Sequence, residues 1–176
     1  MPTLKTKFGS FLLTAFCLLA LGGVAVFAQR HFMAAAAAVG RPEVKVELAA
    51  VVERDNGVIP VEKVKLVTQG EILDWTIKSE NSGQAAAIEY KAVGRIPAGT
   101  SFVAGSAKAE GSARILYSLD GGKLYSATPM IEEKQADGSF KKVAAPVNMY
   151  TNVRYEWVDP LAPGGHVSAS YKVRVK

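Results

Sequence analysis

An all-β fold, an antiparallel sandwich of about seven to nine short strands, is what this sequence predicts, on three observations. From Val167 to Val175, Val167, Ala169, Tyr171, Val173 and Val175 alternate with Ser168, Ser170, Lys172 and Arg174, the period of a half-buried antiparallel strand. Turn residues then recur at short intervals: Asp55-Asn56-Gly57, Asn81-Ser82-Gly83, Pro97-Ala98-Gly99, Asp120-Gly121-Gly122, Asp137-Gly138 and Pro163-Gly164-Gly165. Finally, no segment after residue 42 carries a helical stripe.

In chain order, residues 1–28 are expected to be a secretory signal. Lys5 and Lys7 precede an apolar run from Phe8 to Leu21, Gly22 and Gly23 break it, and Val26-Phe27-Ala28 offers a cleavage site. The alternative is an uncleaved anchor, because the apolar stretch to Ala28 is about long enough to span a bilayer. Either way the two lysines hold the N-terminus in the cytoplasm and the remainder is extracytoplasmic: periplasmic, cell-surface or secreted. Cys17, the only cysteine, lies inside this run behind Phe16, where a lipoprotein signal would want a small residue, so it reads as a small hydrophobe. The exported part then has no disulfide, and core burial alone must stabilise it.

Residues 29–41, with the run Ala34 to Ala38, are expected to be a tether, since so short an alanine run is a marginal helix in water. Ala36-Ala37-Ala38 is a second candidate cleavage point. Residues 42–176 form the sandwich, a length ordinary for a single domain. Losing Lys5 and Lys7 takes the formal net charge from +5 to +3, with no basic run. That argues against nucleic acid, which needs clustered Lys/Arg on a docking motif.

Within the domain, Val44, Val46 and Leu48 alternate with Glu43, Lys45 and Glu47 before the turn at Asp55-Asn56-Gly57. Val64 and Leu66 are expected on a short strand before Gln69-Gly70. Leu73, Trp75 and Ile77 alternate with Ile72, Asp74, Thr76 and Lys78, and Ile88 and Tyr90 mark the strand after that. Phe102-Val103 follows, then Ile115, Tyr117 and Leu119. Asp137-Gly138 is expected to join Glu132-Glu133-Lys134 and Phe140-Lys141-Lys142 as a hairpin. Trp75, flanked by Leu73 and Ile77, and Trp157, near Tyr155, are expected to fill the gap between facing sheets. If the last strand has this register, Val173→Asp should destroy the fold and Lys172→Asp should be nearly neutral.

Four segments also carry a resemblance. Glu71 to Gly83 resembles the "Gly-Asp…Tyr-Thr-Ile…Asn-x-Gly" strand of a bacterial and archaeal envelope repeat, the conserved repeat domain also called domain of unknown function eleven. Arg95 to Ser106 is similar to its "Pro-x-Gly-Thr-x-Phe-Val-x-Gly-Ser" segment. Ser118-Leu119-Asp120-Gly121-Gly122-Lys123 is similar to its "Ser-x-Asp-Gly-Gly-Lys" turn, and Arg154 to Gly164 to its "Arg-Trp…Leu-x-Pro-Gly" ending. Trp75 replaces the family's tyrosine, and its Arg-Trp pair is spread out over Arg154-Tyr155-Glu156-Trp157. The resemblance implies an immunoglobulin-like sandwich in an envelope protein, present here as one copy, with no catalytic residue to carry over.

Chemistry is sparse. A nucleophile–base–acid set would have to use His166, the only histidine after His31, and no serine sits in a Gly-x-Ser-x-Gly elbow. No Cys/His cluster suggests zinc, and Asp55, Asp120 and Asp137 lack the dense spacing of a calcium loop. Glu132-Glu133 reads as a solvated hairpin face rather than a hydrolytic pair. No catalytic, cofactor-binding or metal residue is therefore expected. The expected function is a non-catalytic cell-envelope structural or interaction module whose partner is an unidentified envelope protein or surface polymer. It would meet the membrane only through an uncleaved signal. The alternative is a carbohydrate or small-ligand binder using Tyr125, Tyr150 or Tyr155.

Overall fold

Alternating side chains need two faces, and the chain supplies both by stacking two antiparallel sheets. The computed structural model describes residues 40–54 and 57–176, so the expected signal, nearly all of the tether and Asp55-Asn56 lie outside the described residues. The strands are β1 (Val44–Arg54), β2 (Gly57–Pro60), β3 (Ile72–Asn81), β4 (Lys91–Arg95), β5 (Thr100–Phe102), β6 (Lys108–Ala109), β7 (Ala113–Ser118), β8 (Met130–Lys134), β9 (Phe140–Ala144), β10 (Asn152–Trp157) and β11 (His166–Val175). Among the described residues no α-helix forms, only the short 3-10 turns Val61–Lys63 and Val147–Met149. The expected β-sandwich is present. Its strands outnumber the seven to nine expected because β2 and the two-residue β6 are additions too short for periodicity to reveal.

The larger sheet runs β2-β1-β3-β11-β5, with β6 also on β11, and the smaller runs β4-β10-β7. The hairpin β8–β9 stands in neither. The last two strands thus occupy the middle of their sheets, and the terminal strand takes the register expected of it. Ala169, Tyr171 and Val173 are buried opposite Ile77, Trp75 and Leu73. Facing them from the smaller sheet are Val153, Tyr155 and Trp157 of β10 and Ala92 of β4, closing one core with Val52 and Phe102.

Two tyrosines cross that core in opposite directions. The Tyr155 hydroxyl donates to the Ser170 carbonyl of the larger sheet, and the Tyr171 hydroxyl donates to the Arg95 carbonyl of the smaller, both at 2.7 Å. Burial pushes both phenols well above their ordinary pKa, so both remain protonated donors. The Tyr171 ring passes directly over Gly94 of β4, where a Cβ would meet ring atom Cζ at 2.8 Å and Cε1 closer still. Gly94→Ala is therefore expected to cost about 1–3 kcal/mol by overpacking. Urea unfolding would show it, and a variant as stable as the parent would mean the two sheets do not approach this closely.

Three segments depart from expectation. Val64 and Leu66 form no strand: after Pro60 the chain makes a 3-10 turn and runs irregularly to Glu71. It is held there by Arg54, which donates to the Leu66 carbonyl and the Glu71 carboxylate. Ile88 and Tyr90 precede β4 instead of lying on it, because Ala87 bridges to Leu161 and Glu89 takes a positive φ of 52°. Val46 and Leu48 lie on the inward side of β1 yet stay 56% and 57% exposed. The smaller sheet has only three strands and does not reach under that half of β1. Lys172 is also more than a solvated residue, since its ammonium pairs with Glu53 and lies 3.3 Å from Asp74.

Candidate functional site

Among the described residues, the outer face of the smaller sheet carries a cluster of ion pairs on one carboxylate. Strand pairing sets three rows side by side: Lys91, Glu156 and Arg114; Val93, Arg154 and Leu116; Arg95, Asn152 and Ser118. Glu156 is only 7% exposed, and its charge is balanced where it sits. Arg154 Nη2 lies 2.7 Å from one oxygen, Arg114 Nη2 lies 2.8 Å from the other, and Lys91 Nζ is at 3.9 Å. A carboxylate so committed is not a free general base. The Arg154 guanidinium also lies 4.0 Å over the ring of Tyr125, a cation–π contact that covers that ring. Three cations surround this carboxylate and Arg95 lies two rows away opposite Asn152, so the face carries a net positive charge that favours anions.

At one edge of the face the Ser118–Lys123 turn is built by its own side chains. Asp120 Oδ1 accepts from the N–H groups of Lys123 and Leu124 and from the Ser118 hydroxyl. These bonds hold the Asp120 carboxyl below its usual pKa, the Leu124 amide contributing most. The Ser118 oxygen accepts in turn from the N–H groups of Asp120 and Gly122. The aspartate is spent on closing the turn.

The Asn81 amide does the same at the opposite end of the larger sheet. Its Oδ1 accepts from the N–H groups of Glu43 and Gly83, and its Nδ2 donates to the Ala85 and Leu161 carbonyls. Its backbone bonds Gly164 and Gly165. The first and last of the four motif segments therefore meet at this one side chain. The bonds to Gly83 and Ala85 are local to the turn, whereas Glu43 and Leu161 lie 38 and 80 positions away, too distant for the sequence to suggest them.

His166 opens β11, exposed and opposite Glu80, with no nucleophile in hydrogen-bond contact. Glu132 and Glu133 face Lys142 and Lys141 across the β8–β9 hairpin. Asp137 caps its turn by accepting from Ser139, while Asp55 lies outside the described residues. Among the described residues no cluster of three His, Cys, Asp or Glu could hold a metal ion.

The aromatics proposed as ligand platforms need correction. Tyr155 is fully buried between the sheets, because β10 is a central strand and its inward positions meet β11. Tyr150 stacks on Tyr117 at 4.8 Å and tilts against Phe102 at 5.7 Å, so it belongs to the core margin. Trp157 is buried against Tyr90 and donates to the Glu110 carbonyl, whereas Trp75 is only half-buried, stacked on Tyr171. Sequence reasoning missed the Glu156 cluster. Alternation around Trp157 does place Glu156 outward, but the neighbours that bury it come from β4 and β7.

No family model, curated protein or solved structure matches the chain.

Proposed function

We propose that the chain is an exported cell-envelope module, of the conserved-repeat type its motifs resemble, that works as a rigid scaffold and carries out no reaction. The observation that carries this reading is where the motif residues spend their polar groups. Ser118 and Asp120 bond backbone amides of their own loop, Asn81 bonds the backbone of its own loop and of Glu43 and Leu161, and Ser106 accepts from the Lys172 N–H at 3.0 Å. Residues used this way fix loop shape, as a module that presents loops to a partner requires. The charged N-terminal lysines and apolar run supply the route out of the cytoplasm.

The test is fractionation of cells making the full chain, with intact mass measured on the envelope and periplasmic fractions. A mass beginning at Gln29 in an extracytoplasmic fraction is expected, and a full-length mass in membranes would instead identify an anchor. Recovery in the cytoplasm would sink the reading.

A second reading has one observation in its favour. Lys91 and Arg114 flank Glu156 in a depression that also touches Trp157 and Val158, and cations beside an aromatic suit an acidic glycan. A saturable change in tryptophan fluorescence on titration with an acidic cell-wall polymer, lost in Lys91→Ala/Arg114→Ala, would move this reading ahead of the scaffold.

A further inference from the structure

We propose that the uncovered half of β1, Val44 to Ala50, is a homotypic edge at which a second copy of this chain pairs antiparallel, centred on Val46. β3 pairs with β1 along its length, but β2 reaches only Val51–Arg54, so among the described residues Val44–Ala50 has no second neighbour. Such an edge is a template for another strand. Which groups it offers is fixed by two sets of bonds. Glu43 accepts from Ser82 on the β3 side, and Asn81, opposite Val44, turns its own N–H and carbonyl to Gly164 and Gly165. By alternation the N–H and carbonyl groups of Val44, Val46 and Leu48 point outward from the sheet edge.

Charge then selects the occupant and the register. In a twofold pairing centred on Val46, Lys45 faces Glu47 of the second copy, and Glu47 faces its Lys45. Val46 faces Val46, and Val44 faces Leu48. The pairing centred on Glu47 would set two glutamates face to face, and that centred on Lys45 two lysines, each unfavourable. Centring on Leu48 pairs neither charge and brings Val51, already bonded to β2, into the contact. Centring on Val44 would also join opposite charges, Glu43 with Lys45, but it places Pro42, which has no N–H, opposite Val46 and relies on residues before the strand begins. Among registers whose paired residues all lie within Val44–Ala50, only the one centred on Val46 is complementary to itself. It also covers the exposed Val46 with its counterpart and the exposed Leu48 with Val44 of the second copy. A pairing this short buries less than a standard interface, so the dimer is weak and concentration-dependent. This inference goes beyond the envelope reading and does not depend on it.

The test uses the full chain with Cys17→Ala, purified in detergent, carrying one cysteine at position 45, 46, 47 or 48. Under mild oxidant Val46→Cys is expected to form covalent dimer about tenfold faster than the others. Facing hydrogen-bonded residues lie about 5.5 Å apart at Cα, within disulfide range. A maximum at 45, 47 or 48, or no dimer at any position, overturns the proposal; the latter is also the result if residues 29–39 of the same chain cover the edge. In the Val46→Cys background, Lys45→Glu and Glu47→Lys should each slow cross-linking several-fold, and the two together should restore it. Each substitution disturbs the pairing with Glu80 or Lys78 inside its own copy, and the double variant carries both disturbances. Restoration can therefore come only from contact between copies, and its failure overturns the register.

Discussion

Asn81→Asp is expected to leave little folded protein at neutral pH. The side chain is fully buried and all four hydrogen-bonding positions of its amide are used. Aspartate has the same shape and still accepts from Glu43 and Gly83, but it cannot donate to the Ala85 and Leu161 carbonyls. The part-buried Ala85 carbonyl loses this donor, the Leu161 carbonyl keeps only the Ala87 N–H, and a carboxylate is left facing both, at about 1–3 kcal/mol for each lost bond. Together that is a large part of the roughly 5–15 kcal/mol a domain possesses. The environment raises the folded-state pKa of the new carboxyl above its unfolded value. The folded state therefore tolerates the protonated form, and the penalty appears as pH rises through that raised pKa. Denaturant midpoints of variant and parent should accordingly converge as pH falls and separate toward neutrality. A constant offset at every pH would show that the lost donors, and not the charge, carry the effect. No offset would show that Asn81 does not join these loops.

Val173→Asp is the second large effect. Val173 is wholly buried between Leu73 and Phe102, and an unpaired carboxylate there costs several kcal/mol. Its comparison residue must be chosen with the structure in view. Lys172→Asp, nearly neutral on the alternating pattern alone, would set a third carboxylate beside Glu53 and Asp74 and should fall between the extremes. Ser168→Asp points outward opposite Lys78 and should change stability by no more than about 0.5 kcal/mol. The expected order of loss by thermal unfolding is Val173→Asp, then Lys172→Asp, then Ser168→Asp. Equal losses at 168 and 173 would mean that β11 does not bury the face assigned to it.

What the sequence made legible is what neighbouring residues decide. The period of β11, the Leu73–Ile77 face of β3, the Asp137-Gly138 hairpin and the Ser118–Lys123 turn all follow from residues a few positions apart. What it hid depends on partners distant along the chain. Gly94 carries no signal in the sequence, and the reason that position takes no side chain is the Tyr171 ring lying over it. Val46 and Leu48 have the alternation of a buried face, but whether a strand is covered depends on the width of the opposite sheet, which no local pattern encodes. Tyr155 looked available as a platform for the same reason. The candidate face around Glu156 needed the registers of β4, β10 and β7 together before its charges could be seen to meet.

Placing β10 and β11 in the middle of their sheets has a consequence for the order of events as the chain emerges and folds. Until Asn152 has emerged into the compartment where the chain folds, β4 and β7 have nothing to join them, and β3 lacks the strand on its second side. Only β1 with β2 and β3, and the β8–β9 hairpin, have their partners by then. The emerging chain therefore stays open along most of its length and closes late, in one step, when the segment Asn152–Val175 arrives to zip both layers from the centre outward. Chains truncated before Asn152 should be degraded by protease through β4 to β7, and chains that extend through Val175 should resist from β1 to β11 alike.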